Sequence, residues 1–174
     1  MPHPTQLSKT PDPSAAVSRK SITIHTDGGC SKNPGGDGSF SAHLACDGYT
    51  SRMIHGYIPA PTTNNRAEWA AVIEGIRALR APAEVLVVSD SMICVNAING
   101  VGKKASKRKN QDLIRLFGMV ATPHRVRAKW TPGHADNAIN NLCDETCTRV
   151  MRDKTNPHPQ YCLITEESTG TLPL

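Results

Sequence analysis

Four acidic side chains, Asp27, Glu68, Asp90 and Asp144, stand where a folded chain seldom places an isolated charge. Asp27 closes the alternating run "SITIHTD". Asp90 directly follows the apolar run "EVLVVS". Glu68 lies in the first turn of an apolar helix that opens at "TTNNRAEW", and Asp144 falls within "AINNLCDETCTRVM". A carboxylate after "VLVVS" is poorly placed for water, and a buried carboxylate needs a cation or hydrogen bonds. If the strands ending in Asp27 and Asp90 are neighbours, the two acids meet at the strand ends, where ligands of such sheets gather. Several carboxylates in one pocket repel unless divalent cations neutralise them, and oxygen-only ligation suits magnesium or manganese. Two such ions about 3.5–4 Å apart form the usual clamp for phosphodiester hydrolysis. Each acid taken singly has a plainer reading. An Asp at a strand end is a turn or cap residue, a first-turn Glu complements the helix dipole, and Asp144 is one more surface acid.

The elements that must position these residues follow from periodicity. "SITIHTD", "SFSAHLACDG" and "TSRMIHGYI" alternate as strands, with a turn at Asp47-Gly48 and a Gly/Pro loop, "GGCSKNPGGDG", after the first. Trp69, Val72, Ile73, Ile76 and Leu79 share one helical face. "EVLVVSD" reads as a strand buried on both faces. "SMICVNAING" reads as a short helix stopped near Gly100, "NQDLIRLFGMV" as a helix and "HRVRAKW" as a strand. After the loop "TPGHADN", the last helix turns Ile139, Leu142, Cys143, Thr146 and Val150 inward. Three strands, a helix, a strand, two helices, a strand and a helix imply an α/β fold with a mixed sheet flanked by helices.

The 174 residues suggest one domain, with a Pro-rich disordered leader over 1–20, a core over 21–152 and a flexible C-terminal tail over 153–174. The formal charge of +5 favours a polyanionic partner, and "KKASKRK", residues 103–109, concentrates five bases without an acid. The plain reading of that run is a solvated loop. Six scattered cysteines without a CxxC pair read as reduced thiols in a cytoplasmic protein. Cys143 and Cys147 stand four apart on the last helix, but no second pair completes a zinc site. No apolar run is long enough for a membrane span, and nothing requires a protein partner or more than a monomer.

The motifs around the acids resemble type 1 ribonuclease H. The matching segments are "DGGCSKNPGG" from Asp27, "TTNNRAE" ending at Glu68, "SDS" around Asp90, and "WTPGHADNAINNLCDE" with His134, Asn140 and Asp144. Four separate motifs fall in the family's order, from about Ile22 to Met151. The resemblance implies a ribonuclease H-like five-stranded mixed sheet flanked by helices. It implies an endonuclease that hydrolyses the RNA strand of RNA–DNA hybrids with two Mg2+ ions per site, Mn2+ being a possible substitute, and leaves 5′-phosphate and 3′-hydroxyl ends. Asp27, Glu68, Asp90 and Asp144 then hold metal, and His134 assists proton transfer or product release. A lone loop histidine is otherwise a solvated side chain.

Choosing a hybrid means detecting 2′-hydroxyls across a wide, shallow minor groove. Amide side chains suit this, offering both donor and acceptor. By the resemblance, Asn33, Asn64 and Asn65 read that groove, with Cys30 and Thr63 in the same motifs also against the substrate. Asn64 or Asn65 doubles as the helix N-cap, and Arg66 is a structural or surface group rather than a catalyst. Two departures stand out. Met92 occupies a position where the family often has a substrate-touching Gln. The basic protrusion helix of many bacterial members is lacking, leaving "GVGKKASKRK", whose Lys103, Lys104, Lys107, Arg108 and Lys109 then meet the phosphate backbone. The alternatives are a non-catalytic hybrid-binding module, whose mark would be a missing acid, a transposase or integrase core, which would not need the asparagine readers, and a protein whose basic loop binds RNA unspecifically.

Overall fold

The computed structural model describes residues 18–102, 104, 107–133 and 137–163. The strands are β1 (Lys20–Cys30), β2 (Gly38–Ala45), β3 (Arg52–Ile58), β4 (Ala83–Ser89) and β5 (Arg125–Trp130). The helices are α1 (Asn64–Arg77), α2 (Met92–Ile98), α3 (Gln111–Ala121) and α4 (Ala138–Asp153). The order matches the one predicted from periodicity. The sheet runs β3-β2-β1-β4-β5. The β1–β2 and β2–β3 pairs are antiparallel, and β1–β4 and β4–β5 are parallel. The hairpins arise from short turns, including one at Gly48, whose φ of 78° suits a residue without Cβ. The parallel pairs need helical crossovers, supplied by α1 and by α2 with α3.

One sheet face carries the aliphatic core. Ile24, Phe40, Ala42, Val85 and Val87 meet Trp69, Val72, Ile73 and Ile76 of α1, all 0–1% exposed. Burying each of the larger side chains contributes about 1.5–3 kcal/mol. Helix α3 covers α1, and α2 lies against β5. On the other face α4 packs over β1, β2 and β3. That interface is partly polar: Ser39 Oγ donates to Cys147 O at 2.8 Å and Ser41 Oγ to Cys143 O at 2.9 Å. Cys143 and Cys147 are both buried and free, so they pack as small core residues.

Three expectations change. Leu142 points outward, 45% exposed, and the inward face of α4 is Asn140, Cys143, Thr146, Cys147 and Val150. Its apolar side chain misled because the helix packs on a serine-bearing strand and buries polar groups instead. The N-cap of α1 is Thr63, whose side chain accepts from Arg66 N, and neither Asn64 nor Asn65 serves as the cap. The chain beyond α4, read as a flexible tail, is packed as far as Leu163. Tyr161 is 0% exposed and donates its hydroxyl to Glu74 Oε1. His158 N donates to Tyr57 O, and Leu163 N to Pro61 O. One buried aromatic ring outweighs the neighbouring prolines, because its burial offsets the entropy of ordering a short strap. Between α2 and α3 no α-helix occurs among the described residues, in line with the absent protrusion.

Candidate active site

The parallel pairing of β1 and β4 stops at Thr26 opposite Ser89, which sets Asp90, just past β4, beside Asp27. Asp27 does not end its strand as expected, because β1 runs on to Cys30 in its pairing with β2. Glu68 reaches them from α1. It is the fifth residue of that helix, beyond the first turn, so complementing the helix dipole is not its role. One carboxylate oxygen from each of Asp27, Glu68 and Asp90 lies within 4.8 Å of the others. Asp144 stands apart from this trio, exposed on α4, and lines the same cleft of about 360 Å³.

Close backbone packing makes this convergence possible. A Cβ on Gly28 would come within 2.3 Å of the Ala67 carbonyl carbon, so only glycine lets α1 approach β1 at the acids. A Cβ on Gly133 would lie 2.6 Å from Asp90 Oδ2, so a larger residue there would make the Asp90 carboxylate shift. Trp130 Nε1 donates to Asp90 O at 3.1 Å, tying the end of β5 to the same residue. Neither glycine stood out in the sequence, and the only signal there was a glycine beside an acid or beside the candidate histidine.

The electrostatics are those of an unneutralised carboxylate nest. Burial pushes the Asp27 carboxyl up to about 6, with Asp90 and Asp144 adding repulsion. Burial likewise holds Glu68 well above the usual carboxylate range, helped by Asp27 and Asp90. Glu68 is only 9% exposed, and its Oε2 is buried without a hydrogen-bond partner. An orphaned carboxylate oxygen facing two further carboxylates suits a cation as partner. The donor set is all oxygen, which fits a hard divalent ion.

Around the acids, the glycine loop is pinned to the start of α1. Asn33 Oδ1 accepts from Asn64 N at 3.2 Å, Gly35 N donates to Thr62 O at 2.8 Å, and Thr62 N to Gly36 O at 3.0 Å. Asn33 and Asn64 therefore stand together, and Asn64 and Cys30 line the carboxylate cleft. Asn65 instead faces a neighbouring groove of about 530 Å³ with Met92, Ile93, Val101, Lys107 and Lys109. Arg66 is structural: 2% exposed, it donates through Nε to Tyr161 O and pairs with Asp112 at 2.7 Å. Of the basic run, Lys104, Lys107 and Lys109 are exposed. Arg108 turns inward instead, donating to Val101 O at 2.6 Å and to Asn96 O at 3.4 Å, so its guanidinium braces the turn after α2. A basic run does not reveal which of its members has carbonyls within reach. Lys103 and His134 lie outside the described residues. Asn140, only 5% exposed, also lines the acidic cleft.

Comparison with known proteins decides the family. The RNase H family model matches residues 19–152. The chain belongs to the ribonuclease H family. It is 43% identical over 146 residues to a ribonuclease H of Chlorobium phaeovibrioides, covering 78% of this chain and 98% of the relative. It is 37% identical over 150 residues to a ribonuclease H of Thermoanaerobacter, covering 80% and 95%. Two solved structures share the fold at a TM-score of 0.65 and 23% identity. The N-terminal RNase H domain of a Mycobacterium tuberculosis protein covers 78% of this chain and 96% of its own. LC11-RNase H1, solved with an RNA/DNA hybrid, covers 76% and 97%. The chain is thus a ribonuclease H, an endonuclease hydrolase of hybrid-paired RNA in a family that depends on divalent metal, with an acidic cluster able to hold one. No helix among the described residues is long and apolar enough to cross a membrane.

Proposed function

We propose that Asp27, Glu68, Asp90 and Asp144 are the residues that carry this hydrolysis, with Mg2+ as the ion and two ions per site. The observation that supports this most directly is the meeting of three carboxylates around the unpartnered Glu68 Oε2. A divalent cation supplies an acidified water and offsets charge on the phosphate, so no side-chain nucleophile is needed. Asp27, held inside β1, and Asp90, just past β4, would be the central ligands. Glu68 approaches from the opposite wall on a helix that Gly28 admits. Asp144, exposed on the rim, is free to swing toward the phosphate. Cleavage then leaves 5′-phosphate and 3′-hydroxyl ends.

Asn64, exposed beside the acids and held by Asn33, offers amide groups to the hybrid's minor groove. Asn65 reads from the neighbouring groove, Cys30 contributes from the carboxylate cleft, and Thr63 contributes at the start of α1. His134, next in sequence after Gly133, assists proton transfer or product release. Lys103, Lys104, Lys107 and Lys109 hold phosphate backbone. The protein works as a cytoplasmic monomer without an obligatory partner. The test is cleavage of a labelled RNA strand, alone, in an RNA duplex and in a hybrid, with Mg2+, with Mn2+ and with chelator. Metal-dependent cutting confined to the hybrid is the expected outcome. Hybrid binding without cutting under either ion would leave a binding module.

A further inference from the structure

The sheet is covered unevenly. Helix α4 spreads over β1, β2 and β3, leaving its face over β4 and β5 beyond the helix. The residues of β4 and β5 on that side are set by register. Glu84 pairs with Arg125, Leu86 with Arg127 and Val88 with Lys129. Val126 and Ala128 point the other way, into the core with α2 and α3, whereas Leu86 and Val88 lie outside that core cluster. Arg125, Arg127 and Lys129 are all exposed. They form one straight row of cations along an edge strand, beside the half-buried Leu86 and the buried Val88. Alternate strand residues repeat about every 6.7 Å, so the row spans about 13 Å.

Charged residues on an edge strand often serve only to prevent sheet-to-sheet pairing. Here part of that edge is already closed. Asn99 Nδ2 donates to Ala128 O at 2.8 Å, and Ala128 N donates to Asn99 Oδ1 at 2.9 Å, which occupies the ladder groups at the middle of β5. Arg125 is partly engaged, paired with Glu84 at 3.2 Å though its side chain is 74% exposed. Arg127 and Lys129 have no ion-pair partner among the described residues. The row also has a direction. Lys129 stands opposite Val88, just short of Asp90, so the row leads away from the catalytic carboxylates along the uncovered face.

We infer that the Arg125–Arg127–Lys129 row is a track for a single-stranded nucleic-acid extension leaving the catalytic cleft. This rests on the ribonuclease H reading and adds a substrate feature to it. A single strand presents one line of phosphates, matching one line of cations. A duplex would present two backbones to a face that carries one row. Substrates with a single-stranded segment next to the hybrid are therefore bound in preference to blunt hybrids.

The experiment compares a blunt RNA–DNA hybrid with hybrids carrying a short overhang at each end, on the RNA and on the DNA strand in turn. Cleavage is followed with the wild type and with the Arg127→Ser/Lys129→Ser variant. The wild type lowers its KM on at least one overhang with kcat unchanged. The variant loses that advantage and cuts the blunt hybrid as before, which also shows it is folded. Two free cations, at a salt slope of about 0.7 each for a single strand, predict that going from about 50 to about 200 mM salt costs the extended substrate roughly sevenfold more affinity than the blunt one. Equal KM for blunt and extended hybrids, or an advantage retained by the variant, overturns the track. If the wild type cuts neither, the catalytic reading is what fails. The track is then judged by anisotropy of a labelled overhang hybrid in chelator, where equal binding by both proteins overturns it.

Discussion

At Asp27 the fold opposes itself. Its carboxyl titrates near 6 because burial and two neighbouring acids disfavour the charge. A folded-state pKa above the unfolded one means the ionised group costs stability. That cost is full above about pH 6 and fades as pH falls toward the unfolded value near 4. The metal-free protein should therefore lose this penalty between pH 6 and pH 4. Asp27→Asn should remove it at neutral pH and stabilise the metal-free protein by on the order of 2 kcal/mol, measured by urea unfolding in chelator. The same substitution should lower cleavage by roughly a thousandfold or more, since a metal ligand is worth several kcal/mol to the transition state and each 1.36 kcal/mol is tenfold in rate. A variant that is neither more stable without metal nor less active would remove Asp27 from the site. Gly28 gives a complementary test. Gly28→Ala puts a methyl against the Ala67 backbone and should cost about 1–3 kcal/mol while separating Glu68 from Asp27. Activity should fall further than stability explains, read as kcat at a temperature where the variant is fully folded.

At the scale of elements, the strap after α4 matters most for the start of α1. The Tyr161 carbonyl accepts from both Thr62 Oγ1 and Arg66 Nε, and its ring fills the space beside Phe40. The strap therefore holds the turn that presents Thr63 and Asn64. Tyr161→Ala should cost about 3–5 kcal/mol, seen as a lower denaturant midpoint with unchanged slope. An effect under about 1 kcal/mol would show that the strap adds little. This element was also the least legible in the sequence. Periodicity revealed all five strands and four helices, because each keeps a steady apolar repeat, and Asp90 at the end of β4 followed from it, whereas β1 runs past Asp27 to Cys30. A strap anchored by one tyrosine has no repeat to detect. The α1 cap was misjudged for a related reason: Thr63, Asn64 and Asn65 are all competent caps, and only the chain's entry angle selects among them. Gly28 and Gly133 act through neighbours distant in sequence, which no local pattern encodes.

At the scale of the whole molecule, the charge of +5 is not spread evenly, and its placement decides what it does. Lys107 and Lys109, exposed between α2 and α3, share a groove with Asn65 and Arg108, on the side of the cleft where the hybrid would be read. Arg108 belongs to the same run by sequence but spends its guanidinium on Val101 O and Asn96 O. Replacing Lys104, Lys107 and Lys109 by Ser should flatten the salt dependence of hybrid binding by about 2 in log–log slope, at about 0.9 for each phosphate no longer neutralised and with partial occupancy by mobile side chains. Arg108→Ser should leave that slope within about 0.5 of the wild type and instead loosen the turn after α2, measured as faster amide exchange at Val101. If Arg108→Ser flattens the slope as much as a lysine replacement does, its inward bonds do not persist in the complex and the run acts as one flexible polycation. If only the lysines matter, the backbone carbonyls of the α2 turn have sorted a uniform basic stretch into one brace and several phosphate-binding lysines.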